Sequence, residues 1–539
     1  MKPEEEILEP EVYSLAPYTG PWTSIEAAHL LRRTQFGLTL QQIEDAVTNG
    51  LDATITQLMT APTFEEPLAY HSDETIANFG ESWVNSVYPG TEAEIFKTIN
   101  VRNASLGAWL MERVNREQPN IYEKMSLFWQ NHFAAELTAD PRATYAYFHL
   151  MRTQALGNFK QLMKDITIDP CMLVFLNGAE NNKFSPNENF ARELLELYTI
   201  GKGPQIGVGD YTNYTEADIA EGAKILTGWT IAGFLSSTAT STSAVYYPEL
   251  HYTGDKTLSA KFGSQTVTEA GIDEYANYID VIFQQAETAR HICRKLYRWF
   301  VNYDLTDQVE STVIGEMATL MIANDYEVQP VVEALLKSQH FYDLSVRGAI
   351  IKSPLEYIFS ILNSTGSAPN FDLDVNYQMY LEMYYVSEAL GMGYLAPPSV
   401  GGWSAYYQAP NYSKSWVNSS YIKLRFDMAS YVTLYGGINV NGNRFEVNHL
   451  GFLDSLSVPG DPNQVIADMV TLFCPKGLPQ LQKDTLKAIL LNGLPDFEWT
   501  LQYNEYQANP SDQATADAIK LRIALVLDQM FKLPEFQTI

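Results

Sequence analysis

The sequence predicts a mainly α protein: a large multi-helix globular unit with a small β-hairpin-like insertion and long ordered loops. Three observations carry that reading. Apolar residues recur with a helical period over most of the 539 residues. Helix-start signals punctuate the chain, among them Thr215-Glu216-Ala217-Asp218, which has the form of a capping box. Strand-like residues concentrate in one stretch, residues 230–265, where a Ser/Thr-rich run gives way to a strand-like run broken by Gly254. With 46% hydrophobic and 18% charged residues, the chain has ample material for a core.

Taken in order, residues 1–21 are acidic and proline-bearing and read as an extended arm. Residues 25–36 and 40–48 form two helices separated by Gly37, and Gly50 closes the second. After an irregular stretch over 61–91, a long helix runs over about 92–117, and another carries Phe128 and His132. Helices continue to Trp229, with starts at Pro186-Asn187 and Thr215. Beyond the insertion, helical periodicity resumes over 272–357. Residues 365–415, rich in Gly, Pro, Asn and Tyr, read as a long ordered loop around a short helix, and the last hundred residues are helical again. At roughly 150 residues per domain the length allows three or four domains. No repeat or linker divides the chain, so residues 22–539 are expected to form one helical domain.

The 64 acidic and 35 basic residues give a formal charge of −29, which repels phosphate backbones and argues against nucleic-acid binding. No window approaches 18 consecutive apolar residues, so no membrane span is expected. The start, Met1-Lys2-Pro3-Glu4-Glu5-Glu6, lacks the apolar stretch of a secretory signal. A cytoplasmic location is expected on the sequence as given, with export as the alternative if a leader is missing. Three dispersed cysteines, Cys171, Cys293 and Cys474, exclude a disulfide framework and leave room for one bridge. Nucleotide-binding glycine loops, the GxSxG elbow, HExxH and the EF-hand pattern are absent. No residue pattern assigns a metal site, and the cofactor is unknown.

Four groups of residues carry candidate chemistry. On the helix of Phe128-Trp129-Gln130-Asn131-His132-Phe133, a wheel count places His132 in the middle of the apolar face. A histidine there is desolvated and neutral, suited to a base or to a metal or haem ligand; the alternative is a core histidine held by a backbone carbonyl. On the helix from Pro186 to Gly201, Glu188, Asn189, Arg192, Glu193 and Glu196 share one polar sector, with Arg192 four residues from both Glu188 and Glu196. Three carboxylates against one guanidinium suit acid/base chemistry, unless the face is simply solvated. His251-Tyr252-Thr253-Gly254-Asp255-Lys256 reads first as a turn and second as a site. The run from Trp403 to Trp416, preceded by Gly401-Gly402, offers aromatics for a glycan or protein surface, or packs back onto the helices.

Together with His29-Leu30-Leu31-Arg32-Arg33-Thr34-Gln35-Phe36-Gly37, Asp169-Pro170-Cys171-Met172-Leu173, Leu226-Thr227-Gly228-Trp229, Lys352-Ser353-Pro354, Trp416 and Arg425, these segments resemble the domain of unknown function 1800 family over about residues 22–430. The resemblance implies a mostly helical fold. It also implies a protein that is often exported and encoded beside a sulfatase- or phosphatase-like protein, a candidate partner. The family tends to carry His-Asp-x-Gly-x-Lys in the insertion. Here Tyr252 replaces the acid, and Asp255 is the expected spatial substitute.

The first of three functional readings is a hydrolase acting on a glycan or other surface polymer. Glu188 and Glu193 would serve as acid/base carboxylates, Arg192 would tune them and His132 would assist. Asn131, Asn189, Trp129, Trp229, His251 and Trp403 are the expected substrate contacts. Two alternatives stay open: a non-catalytic assembly partner in which the Glu/Arg helix is an internal lock, and a metal- or haem-binding protein through His132.

Overall fold

The computed structural model describes residues 13–116 and 119–539. Helices dominate it, and the strands form only short antiparallel two-stranded pairs. The local reasons are visible at the helix starts. Thr23, Thr39, Thr215 and Ser353 each close a capping box with the residue three positions on, Glu26, Gln42, Asp218 and Glu356. Asp140, Asp169 and Asp461 cap helices that begin with proline, where a missing N–H costs nothing.

Packing assembles these helices around one contiguous cluster of buried apolar side chains running from Ala27 to Phe536. The long helix Glu92–Asn115 lies against Leu373–Ala389, and Ala286–Phe300 lies against Val313–Ala323. The C-terminal helices Gln480–Leu491, Asp496–Ala508 and Gln513–Phe531 pack on one another. Cys171, Cys293 and Cys474 are all free and buried. No helix among the described residues is long and apolar enough to cross a membrane.

The expected N-terminal arm is described only from Tyr13; residues 1–12 lie outside the described residues. From there it is docked: Tyr18 N donates to Lys337 O at 2.8 Å and Leu15 N to Glu316 Oε2 at 2.7 Å. The insertion is two hairpins, Trp229–Ala232 with Ser243–Tyr246 and Lys256–Thr257 with Thr266–Val267. Residues 365–415 depart from expectation, because they contain the 17-residue helix Leu373–Ala389 rather than a short one. Its buried face (Val375, Met379, Met383 and Ser387, with Tyr380 and Tyr384 beside them) keeps a four-residue spacing that the surrounding tyrosines and asparagines obscure. Two further hairpins, Gln205–Gly207 with Asp210–Tyr211 and Ile438–Val440 with Asn443–Phe445, were not expected; the second interrupts the helical C-terminal region.

Candidate functional site

The most polar of the motif helices begins at Asn187, whose side chain accepts from Asn189 N at 2.9 Å. The segment Glu188–Glu193 is α-helical, but Leu194–Tyr198 opens into a π turn. Such turns change the angular spacing of side chains and release backbone carbonyls from the helix ladder. The expected polar sector therefore holds only as far as Glu193. Arg192 keeps Glu188 at 3.4 Å, yet its main partner is Glu216 on the next helix, Glu216–Ile225, reached by both guanidinium ends at 2.9 and 2.6 Å. Glu196 does not pair with Arg192. It accepts from Lys202 Nζ at 3.1 Å and from the Tyr214 hydroxyl at 2.8 Å.

Glu193 lies between these two groups, partly buried and without a hydrogen-bond or ion-pair partner among the described residues. Burial, and then the neighbouring Glu196 charge, push its carboxyl above the ordinary range. The Arg192 guanidinium does the opposite for Glu216, holding its carboxyl below the ordinary range. The two carboxyls thus sit in different surroundings, Glu193 partly buried and unpaired and Glu196 held by Lys202 and Tyr214, a division that acid/base chemistry can use.

Beneath this face, the π turn directs two carbonyls inward. Tyr198 O accepts from His132 Nε2 at 3.1 Å; Leu197 O accepts from His291 Nε2 at 3.1 Å and from Lys295 Nζ at 2.8 Å. A carbonyl can only accept, so Nε2 of His132 carries the proton and its Nδ1 offers a lone pair. Lys295 Nζ donates to that Nδ1 at 3.0 Å. His132 is buried, with Phe133 and Phe159 rings 4.6 and 5.7 Å away. Burial holds it well below the usual histidine range and pushes Lys295 down to about 7. Gly201, at φ +73°, sits where a Cβ would lie 2.7 Å from His291 Nδ1, so glycine permits the close approach.

The other expected site residues fall elsewhere. Trp129 is fully buried and donates from Nε1 to Ala155 O at 2.9 Å. Asn131 accepts from Trp403 N at 2.9 Å, and Trp403 is buried, so the aromatic loop packs back onto the helices. Asn189 is exposed and reaches Leu176 O at 3.4 Å. Trp229 packs against Tyr246 and Tyr275, with ring centroids 5.3 and 5.4 Å away. His251 is buried between Thr227 O at 2.9 Å and Glu274 Oε2 at 3.1 Å, and Lys256 pairs with the same Glu274 at 2.5 Å. The acid that completes the insertion motif is therefore Glu274. Asp255, the expected substitute, instead accepts from Glu269 N at 3.0 Å. Among the described residues no group of three His, Cys, Asp or Glu side chains is placed to hold a metal ion.

Sequence reasoning missed His291, Lys295 and Glu274. The first two carried a signal: a His and a Lys four residues apart on the amphipathic helix Ala286–Phe300. Glu274 carried none, since only the folded hairpin brings it to His251. No curated protein and no solved structure matches the chain. A family model described as "Protein of unknown function (DUF1800)" matches residues 29–538, which carries the likeness through the C-terminal helices, and the chain belongs to that family.

Proposed function

We propose that the protein is a hydrolase acting on a glycan or another surface polymer, with Glu193 as the proton donor and Glu196 as its anchored carboxylate partner. The observation that carries this reading is the unpaired, partly buried Glu193 carboxyl, raised by burial and by Glu196, on the most polar of the motif helices. Arg192, held by Glu188 and Glu216, fixes the face on which the two carboxyls stand. His132 acts from beneath: with Lys295 it holds the π turn that separates Glu196 from the polar sector. An exported location goes with this substrate class. The test is turnover on a panel of chromogenic glycosides and polymer fragments. Glu193→Gln is expected to lower kcat at least about a hundredfold on any substrate found, with the fold intact; unchanged turnover overturns the assignment.

A second reading, a docking partner for a sulfatase- or phosphatase-like protein, is favoured by one observation. The hairpin beside the motif helix presents Ile206 at 62% exposure and Val208 fully to solvent. Co-purification with the neighbour-encoded protein, lost in Val208→Asp, would support it, and failure to associate under native conditions would count against it.

A further inference from the structure

The helix Ser24–Thr34 buries two arginines side by side, Arg32 and Arg33, 7% and 1% exposed. They meet two more buried cations, Lys352, just before the helix Pro354–Ser364, and Arg425 on the helix Ser419–Thr433. Four buried positive charges in one region require compensation, because a guanidinium or ammonium taken out of water without an anion costs several kcal/mol. Lysine can shed its proton; arginine cannot. Among the described residues the carboxylate set among them is Glu356, and it is already committed. Lys124 holds its Oε1, and Ser353 N donates to its Oε2 at 2.7 Å. Among the described residues no carboxylate lies within 4.0 Å of the charged nitrogens of Arg32, Arg33, Lys352 or Arg425.

Their present partners are neutral. Arg32 Nη2 donates to Thr471 O and Arg33 Nη2 to Val346 O at 2.5 Å. Arg425 donates to Lys352 O at 2.7 Å and to Gln537 Oε1 at 3.2 Å. Lys352 Nζ donates to Ser360 Oγ at 3.1 Å and stands 3.5 Å over the Phe536 ring. The neighbouring Cys474 thiol supplies no charge, since burial pushes it up to about 12. Burial pushes Arg32 and Arg425 down to about 10, Arg33 to about 9 and Lys352 well below the usual lysine range, and the Glu356 charge only partly opposes this at Arg33, Lys352 and Arg425.

Two of the four, Arg32 and Lys352, line a crevice of about 320 Å³, mouth included, together with Gln35, Ser360, Ser364 and the Lys124-paired Glu356. Two donors lining it, Arg32 Nε and Gln35 Nε2, are buried and have no acceptor. A guanidinium N–H, an amide N–H, the Lys352 amine and the Ser364 hydroxyl around a narrow space form a donor set for a compact anion with several oxygens, while the Ser360 hydroxyl is already given to Tyr357 O. We propose that this crevice binds a small tetrahedral oxyanion, phosphate or sulfate, between Arg32 and Lys352. Two basic side chains against one carboxylate already paired with Lys124 favour an anion over a cation. The site is independent of the Glu193 face, so either assignment can fail without the other.

The experiment uses the full chain, first denatured and assayed for released anion by ion chromatography, then refolded or prepared in phosphate- and sulfate-free buffer. About one equivalent of phosphate or sulfate is expected, either released from the purified protein or taken up in equilibrium dialysis of labelled anion. Phosphate or sulfate should also raise Tm by a few degrees and saturate, while chloride at equal ionic strength should not. Lys352→Met, which keeps the stem and removes the charge, should melt at or above the wild type without anion and lose at least tenfold in anion affinity. Neither release nor uptake by the wild-type chain overturns the proposal whatever the variants do. So does an equal response of Lys352→Met and wild type, or a chloride response equal to that of phosphate.

Discussion

Lys295 donates to Nδ1 of His132 at 3.0 Å and to Leu197 O at 2.8 Å, so one ammonium joins the helix Ala286–Phe300, the helix Tyr122–Phe133 and the π turn. His132 completes the link through its own donation to Tyr198 O. The pair explains why the motif helix can leave α geometry there. Carbonyls released at Leu197 and Tyr198 would be costly if unpaired in the interior, and three side-chain N–H groups satisfy them.

The pair should make stability depend on alkaline pH. Burial places Lys295 at about 7 in the folded chain against 10.5 in the unfolded one. Between those values the unfolded chain binds more protons, so stability rises as pH goes from about 7 to about 10. Lys295→Met should flatten that rise. Urea unfolding at several pH values measures it, and a lysine titration midpoint above 9 by NMR would refute the assignment.

Asp169 should act in the opposite sense. It caps the helix Pro170–Phe175, accepting from Cys171 N and Met172 N, and burial raises it to about 7 from 3.8. The folded chain holds the proton in that window. Its contribution to stability is complete below about pH 4 and lost as pH rises through about 7. Asp169→Asn keeps the cap and removes the charge, so it should gain on wild type by about 2 kcal/mol or more at pH 8 and by little at pH 4. A pH-independent difference would contradict this.

The buried trio in the insertion should behave as a unit. Glu274 is fully buried and faces both Lys256 and His251. Glu274→Gln strands Lys256 without a counter-charge and should cost about 3–5 kcal/mol. Adding Lys256→Met should recover most of that loss. A double variant no more stable than Glu274→Gln would show that the two charges do not act on each other.

How much of this was legible in the sequence depends on how local each signal was. Thr215 and Asp218 sit three residues apart and announce a capping box that the fold contains. His132 was legible as a buried histidine because its helix neighbours are apolar, and its carbonyl partner was among the readings. Glu196 was misplaced because a wheel count assumes α geometry, and nothing in Leu194-Leu195-Glu196-Leu197-Tyr198 announces a π turn. Glu274 and Lys295 were invisible as partners because their contacts span 23 and 163 residues of chain, distances that only tertiary packing closes. Trp403 read equally well as surface or core, and its place was settled by Gly402 and Asn131.

Gly402 should tolerate no side chain. It adopts φ +82°, and a Cβ would lie 2.4 Å from both the carbonyl and the side-chain oxygen of Asn131. Gly402→Ala combines backbone strain with a clash against main chain and should lower stability by at least about 2 kcal/mol. Asn131→Ala relieves only part of the clash and should rescue little. A wild-type Tm for Gly402→Ala would place the loop differently.

Arg192 separates the two functional readings. An internal lock requires buried partners, yet the side chains of Arg192, Glu188 and Glu216 are 31%, 51% and 39% exposed. Ion pairs screened to that degree contribute about 1 kcal/mol or less each. Arg192→Gln should therefore fold and melt within a few degrees of wild type. Removing the guanidinium also removes the opposing charge that lowers Glu193, so the Glu193 carboxyl should titrate higher still and any acid-dependent limb of a pH–rate profile should move to higher pH. Global unfolding of Arg192→Gln would favour the lock. A folded variant with an unshifted profile would leave Arg192 no part in tuning Glu193.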